Sequence, residues 1–220
     1  MRIRKKPNLA ARMEKCRHLL ISDPETLRGR WLNEFGYSEL HIELGCGKGR
    51  FTVDTAKADP YVLIVALEKS ADAMITALER AAAESLQNVR FLNVLVDNIA
   101  DYFAPGEVSR IYLNFCDPWP SNRHVNRRLT SRLFLDLYSR TLRPDGELLF
   151  KTDNLPLFKF SLREFERAGF EILEVEYDLH KDGAAGVMTD YEIKFHNQGM
   201  PIYKCSIRKG NERKDYLCLS

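Results

Sequence analysis

From residue 41 onward, short apolar runs alternate with stretches in which apolar positions recur every three or four residues. The runs 41–44, 62–67, 89–96, 110–115, 147–152, 172–177 and 202–207 predict strands. The segments 48–58, 71–86, 128–142 and 155–168 predict amphipathic helices. Ser70 is placed to cap the second helix, and Pro144-Asp145-Gly146 forms a turn that stops the third. Regular alternation of this kind predicts an α/β fold, with a mostly parallel seven-stranded sheet covered by helices on both faces. No long helix separates the last two strands, so the last strand is expected to run in reverse. Residues 1–35 read as a basic N-terminal arm with a short helix or two, outside the core. Residues 36–210 read as one domain and 211–220 as a short tail.

The chain has 220 residues, 45% hydrophobic and 29% charged, as expected of one ordinary globular domain. Its net charge is only +2, but the charge is unevenly spread. Arg2, Arg4, Lys5, Lys6, Arg12, Lys15 and Arg17 face Glu14 alone within residues 1–18, while acidic residues concentrate in 164–182. This asymmetry favours a polyanion bound on one side. No apolar run is long enough for a signal peptide or a membrane span. The cysteines at 16, 46, 116, 205 and 218 form no C-x-x-C pair, so neither a disulfide framework nor a metal site is expected, and the cytoplasm is the simple location.

Glu43-Leu44-Gly45-Cys46-Gly47-Lys48-Gly49 lies where the first strand turns into the first helix. In such sheets, ligands bind beyond the carboxyl ends of the strands, and glycines let the backbone approach them. Glu68, at the end of the second strand, is placed to accept ribose hydroxyls. A nicotinamide dinucleotide and S-adenosylmethionine both suit this layout. Arg50 stands where the dinucleotide pattern wants glycine, and Glu43 would repel a pyrophosphate but attract an ammonium. S-adenosylmethionine is therefore favoured. Asp97 and Asn98, at the end of the third strand, are the candidates to meet adenine.

Asn114 to Leu129, NFCDPWPSNRHVNRRL, sets an acidic residue on a rigid aromatic turn and follows it with Arg123, His124, Arg127 and Arg128. A carboxylate with an aromatic wall beside guanidiniums suits a protein that grips a phosphate backbone and handles one base.

These segments, with Thr152-Asp153-Asn154 and TDYEIKFHNQGMPIY, closely resemble the bacterial tRNA (guanine-N7)-methyltransferases over residues 30–207. The resemblance implies a Rossmann-like class I S-adenosylmethionine-dependent methyltransferase fold and methylation of the variable-loop guanosine of tRNA. It assigns Glu43, Glu68 and Asp117 to the cofactor, with Gly45, Gly47 and Gly49 in the loop, and makes Asp117 the active-site residue. It places Asp153, Thr189, Asp190, Tyr191 and Glu192 at the substrate. It assigns Arg123, His124, Val125, Asn126, Arg127 and Arg128 to RNA. Two departures stand out. Ser121 and Asn122 replace a basic pair common in the family, leaving Ser121 only a hydroxyl for the substrate. Leu95 replaces a frequent aspartate two residues before Asp97.

Guanine N7 carries a lone pair and no proton, so attack on a sulfonium methyl needs orientation rather than a base. Carboxylates near the ring would offset the positive charge that develops, and Trp119 and Tyr191 would stack on the base or shape its pocket. Two other readings compete: a methyltransferase for a protein or small molecule, and a non-catalytic RNA-binding module.

Overall fold

The computed structural model describes residues 5–210. In chain order these are helix α1 (Leu9–Lys15), α2 (Trp31–Phe35), strand β1 (Glu39–Leu44), α3 (Arg50–Ala58), β2 (Val62–Leu67), α4 (Ala71–Ala83), β3 (Val89–Leu92), α5 (Ile99–Tyr102), β4 (Val108–Asn114), α6 (Arg132–Thr141), β5 (Leu142–Thr152), α7 (Leu155–Arg167), β6 (Phe170–Glu176), α8 (Asp190–His196) and β7 (Tyr203–Lys209). The sheet order is β3-β2-β1-β4-β5-β7-β6, with β7 antiparallel to both neighbours and the remaining strands parallel. This is the expected mostly parallel seven-stranded sheet with a reversed last strand.

The central strands are buried along almost their whole length because helices cover both faces. Alternate residues serve opposite layers. Leu40, Ile42 and Leu44 join Trp31, Phe134, Tyr138, Phe158 and Phe165 on one face. Val62, Ile64 and Ala66 join Val53, Met74, Ala77 and Phe91 on the other. His41 and Glu43 therefore face away from the first layer, and Glu43 ends at the carboxyl edge beneath α3. Strand order reverses between β1 and β4, so the loops leaving these two strands start side by side.

Ser70 caps α4 as predicted, its hydroxyl accepting from the Ala73 amide at 3.4 Å. Some boundaries differ from the pattern. Strand β3 ends at Leu92, after which the Asn93 side chain donates to the Glu68 carbonyl at 2.8 Å. Helix α6 starts at Arg132 rather than Arg128, because residues 122–127 wind into a separate 3₁₀ turn. Pro144-Asp145-Gly146 lies in an irregularity inside β5, between Leu142, paired with Val108, and Glu147, paired with Arg110.

The expectation that the first 35 residues stand outside the core is corrected for the described residues 5–35. Trp31 is fully buried, stacks on Phe35 and Phe103, and donates its indole N–H to the Tyr102 carbonyl at 2.9 Å. Cys16 and Leu19 join the opposite layer. Arg12 makes a bidentate pair with Glu79 of α4 at 2.7 Å. Arg2 and Arg4 lie outside the described residues, as does the tail from 211.

Candidate active site

The glycine loop begins where β1 leaves the sheet. The Gly45 and Cys46 amides both donate to the Leu67 carbonyl at the end of β2, folding the loop across that strand. Gly47 has φ 57°, and its amide donates to Glu68 Oε2 at 3.0 Å. The other Glu68 oxygen accepts from the Ser70 amide at 2.8 Å, so this carboxylate ties the loop to the start of α4. Gly49 is required for packing as well as for its φ of 73°. A Cβ there would lie 2.3 Å from Ala77 Cβ on α4.

Glu43 is buried rather than open at the turn. It accepts from Thr52 Oγ1 of α3 and from Asn114 Nδ2 of β4, the latter at 3.1 Å. Burial pushes its carboxyl above the ordinary range against the pull of those donors and of nearby Lys151. On the same face of β5, Lys151 is buried and donates to Glu192 Oε2 at 2.6 Å and to the Val187 carbonyl at 3.0 Å. Burial lowers its ammonium pKa, while Glu192 opposes that shift. His180 Nδ1 accepts from the Ala185 amide at 3.1 Å, so Nε2 carries the proton and donates to Glu192 Oε1 at 2.9 Å. Lys151 thus bonds Glu192 directly and acts on Glu43 only through its charge.

The fit of a cofactor follows from this donor set. The buried Glu43 carboxyl at the loop's base, with Glu68 beside it, suits a cationic amino acid moiety and hydroxyls and disfavours a pyrophosphate. Gly45 and Gly47 leave open space where side chains would stand. S-adenosylmethionine suits this donor set, and the loop with Glu43 and Glu68 would hold it. Asp97 and Asn98 lie exposed in the 3₁₀ turn 96–98 that precedes α5. Among the described residues, no hydrogen bond joins either side chain to Glu68 or Asp117.

After β4 the chain turns sharply. Phe115 has φ 52° and Trp119 φ 40°, a left-handed conformation that costs non-glycine residues on the order of 1–3 kcal/mol each. Between them Asp117 is held exposed. Arg128 supports this strained loop. Its guanidinium donates to the Pro118 carbonyl at 3.0 Å and to Trp119 O at 3.0 and 3.3 Å, and it lies 4.3 Å from the Phe160 ring centroid. The residue is only 9% exposed, which corrects its expected place among the RNA contacts. Arg123, Asn126 and Arg127 are exposed, His124 and Val125 half-buried. Arg127 lies over the Trp119 ring at 5.0 Å and His124 meets it edge-on at 5.6 Å. Ser121 caps the 3₁₀ turn by accepting from the Arg123 amide at 3.3 Å.

Asn154, not Asp153, caps α7, accepting from the Leu157 amide at 2.8 Å. Asp153 is therefore not spent on the cap. At α8, three of the four expected substrate residues turn inward. Thr189 and Glu192 form a reciprocal capping box, and Glu192 is fully buried. Asp190 pairs with Arg50 at 2.7 Å and with Arg80 at 2.8 Å. Burial pushes its carboxyl up, but those two guanidiniums hold it below its usual value. Tyr191 alone points outward, 47% exposed, with Phe115 stacked beside it at 6.4 Å. The loops after β1 and β4 and the start of α8 thus surround one carboxyl-end face.

Residues 38–205 match a family model described as a putative methyltransferase. A tRNA (guanine-N(7)-)-methyltransferase of Geobacillus kaustophilus (strain HTA426) is 44% identical over 207 residues, covering 93% of this chain and 95% of the relative. The chain belongs to the tRNA (guanine-N7)-methyltransferase family. A second relative of that name, from Geobacillus sp. (strain WCH70), is 42% identical over 94% of this chain and 96% of its own length. Among solved structures, an antibiotic-related methyltransferase aligns with TM-score 0.62 at 17% identity, over 80% of this chain and 91% of that one. The 16S rRNA methyltransferase KamB gives TM-score 0.62 at 16% identity, over 96% and 97%. These structural likenesses establish the class I methyltransferase fold. Around the site of this family member, sequence reasoning missed Thr52, Asn114, Lys151, His180, Arg50 and Arg80. Lys151 offered a signal, a lone lysine in the apolar run LLFKT; the others are ordinary helix, strand-end or loop residues.

Proposed function

We propose that the protein transfers a methyl group from S-adenosylmethionine to N7 of a guanosine in tRNA, with the variable-loop guanosine as target, in the cytoplasm. The observation that carries this reading is Asp117, held exposed between two left-handed aromatic residues at the strand-order reversal, beside an exposed arginine turn. S-adenosylmethionine supplies an electrophilic sulfonium methyl. Glu43, Glu68, Gly45, Gly47 and Gly49 bind and orient it, Asp97 and Asn98 serve the adenine end, and Asp117 lies towards the reacting end.

Because N7 has no proton to lose, no residue is needed as a base, and the protein's work is alignment and electrostatics. Asp117 accepts from guanine N1–H and N2–H and offsets the charge the ring acquires on alkylation. Tyr191 and Trp119 offer π faces, and Asp153 supplies a second carboxylate. Thr189, Asp190 and Glu192 serve by holding α8 so that Tyr191 faces the base. Arg123, His124, Val125, Asn126 and Arg127 meet the RNA backbone, and Ser121 and Arg128 shape that turn. The test is methyl transfer from labelled S-adenosylmethionine to unmodified tRNA, followed by nucleoside identification by mass spectrometry. Recovery of 7-methylguanosine from the variable loop is expected. A different methylated nucleoside would overturn the base assignment, and transfer to protein instead of RNA would overturn the substrate class.

A further inference from the structure

Arg80 occupies an unusual position for a helix-surface residue. It lies on α4, one turn beyond Ala77, whose Cβ packs directly against Gly49. From there, Arg80 Nη1 donates to the Lys48 carbonyl of the glycine loop at 3.1 Å. The same nitrogen donates to Asp190 Oδ2 at 2.8 Å, and Nη2 reaches Oδ1 at 3.4 Å. Asp190 is the first residue of α8, 110 positions away in the chain. A second guanidinium converges on the same carboxylate. Arg50, which follows the loop and opens α3, donates from Nε to Asp190 Oδ1 at 2.7 Å.

The end of the glycine loop is therefore fastened at two points, Lys48 through Arg80 and Arg50 directly, to one carboxylate on the helix that carries Tyr191. The planar guanidinium presents its donors as a rigid fork, so two Arg80 nitrogens reach both Asp190 oxygens and the Lys48 carbonyl together, a three-acceptor geometry that a single ammonium nitrogen at the end of a lysine does not reproduce. The groups are only about one-third exposed, so water screens them less than it would a free surface pair.

We propose that Arg80 is a positioning residue that, through Asp190, locks the cofactor loop 45–49 to α8, so that the cofactor cradle and the guanine-facing wall form one mechanical unit. This rests on the methyltransferase reading given above. It predicts that a change on α8 is felt in the loop, and that cofactor and tRNA binding are thermodynamically coupled through this contact.

The test uses Arg80→Met, Asp190→Asn, the double variant and Arg80→Lys in the full chain, each first checked for a cooperative melt. Amide hydrogen exchange is read in residues 45–49 and 190–196 without ligand, and S-adenosylhomocysteine affinity by calorimetry. Asp190→Asn should speed exchange in 45–49 as well as in α8, and should weaken S-adenosylhomocysteine about tenfold. The double variant should be little worse than Asp190→Asn, which already weakens both the Arg80 and the Arg50 links to α8, because the Arg80 contact to Lys48 serves the lock only through Asp190. Arg80→Lys should retain the charge but not the closed loop. Exchange confined to α8 with wild-type ligand affinity would overturn the proposal, as would additive losses in the double variant or full function in Arg80→Lys. A variant that melts poorly is replaced by Arg80→Gln with the same readouts. Wild-type protein that binds no S-adenosylhomocysteine would refute the cofactor reading instead, while the ligand-free exchange experiment still decides the lock.

Discussion

Arg128→Met tests whether an arginine within a basic run serves RNA or the protein. The guanidinium makes three donor contacts to the Pro118 and Trp119 carbonyls and covers Phe160. Methionine keeps much of the aliphatic packing but supplies no donor. A buried carbonyl left without its partner costs ~1–3 kcal/mol, and the cation–π contact adds ~1 kcal/mol. The sum, ~2–4 kcal/mol, approaches the strain held at Phe115 and Trp119, so the loop should relax before the domain unfolds. At a factor of ten per ~1.4 kcal/mol, methyl transfer at saturating tRNA should fall by roughly 30-fold to several hundred-fold with little change in melting temperature. Arg123→Ala and Arg127→Ala should behave oppositely. Each should weaken tRNA binding and lower the slope of log affinity against log salt by about one, with smaller effects on turnover at saturation. The assay is filter binding at several salt concentrations paired with single-turnover methylation. Normal turnover in Arg128→Met together with a reduced salt slope would refute the structural role argued for this residue.

Asp117→Ala should lower turnover at saturating tRNA by roughly a hundredfold or more while leaving the melt unchanged, and near-normal turnover would remove it from the catalytic centre. His41 is 8% exposed, and burial, reinforced by Arg110, lowers its pKa from 6.5 to about 4. The unfolded chain therefore binds a proton that the folded one refuses, so stability falls as pH drops through this window, by ~3 kcal/mol from this group. His41→Gln should flatten that part of the acid limb in urea titrations at pH 7 and pH 4; an unchanged difference between the two would contradict the assignment. Trp31→Ala should destabilise by ~3–5 kcal/mol in denaturant melts, whereas a segment lying outside the core would tolerate it.

The sheet was readable because its strands are apolar runs of the right length, punctuated by turn residues. The candidate site stood out where chemistry and spacing coincide, and Glu43, Glu68 and the Asp-Pro-Trp turn all lie at the carboxyl ends of neighbouring parallel strands. What stayed hidden depends on where side chains go after the backbone is placed. Arg127 and Arg128 are neighbours of the same type, yet one is exposed and the other buried against Phe160. Asp153 and Asn154 are both capable caps, and only the start of α7 selects Asn154. Lys151 stands out within the apolar run 148–152, but its partner Glu192 is 41 residues away. The first 35 residues looked like a solvated arm because their charge outweighs a few apolar positions. Those few, Leu19, Leu27 and Trp31, decide the packing.

The anchoring of Trp31 also bears on the order in which the molecule is assembled. Its indole partner lies 71 residues later, and Glu107, 76 residues later, accepts from its backbone amide. The same glutamate accepts from the Gly29 amide at 2.9 Å and from the Ala104 amide at 2.8 Å. A nascent chain therefore cannot seat Trp31 until residues 102–107 have left the ribosome. Until then an unburied tryptophan is open to chaperones. Seating Trp31 thus closes a loop of 71 residues, a non-local contact that costs more chain entropy than the pairing of neighbouring strands.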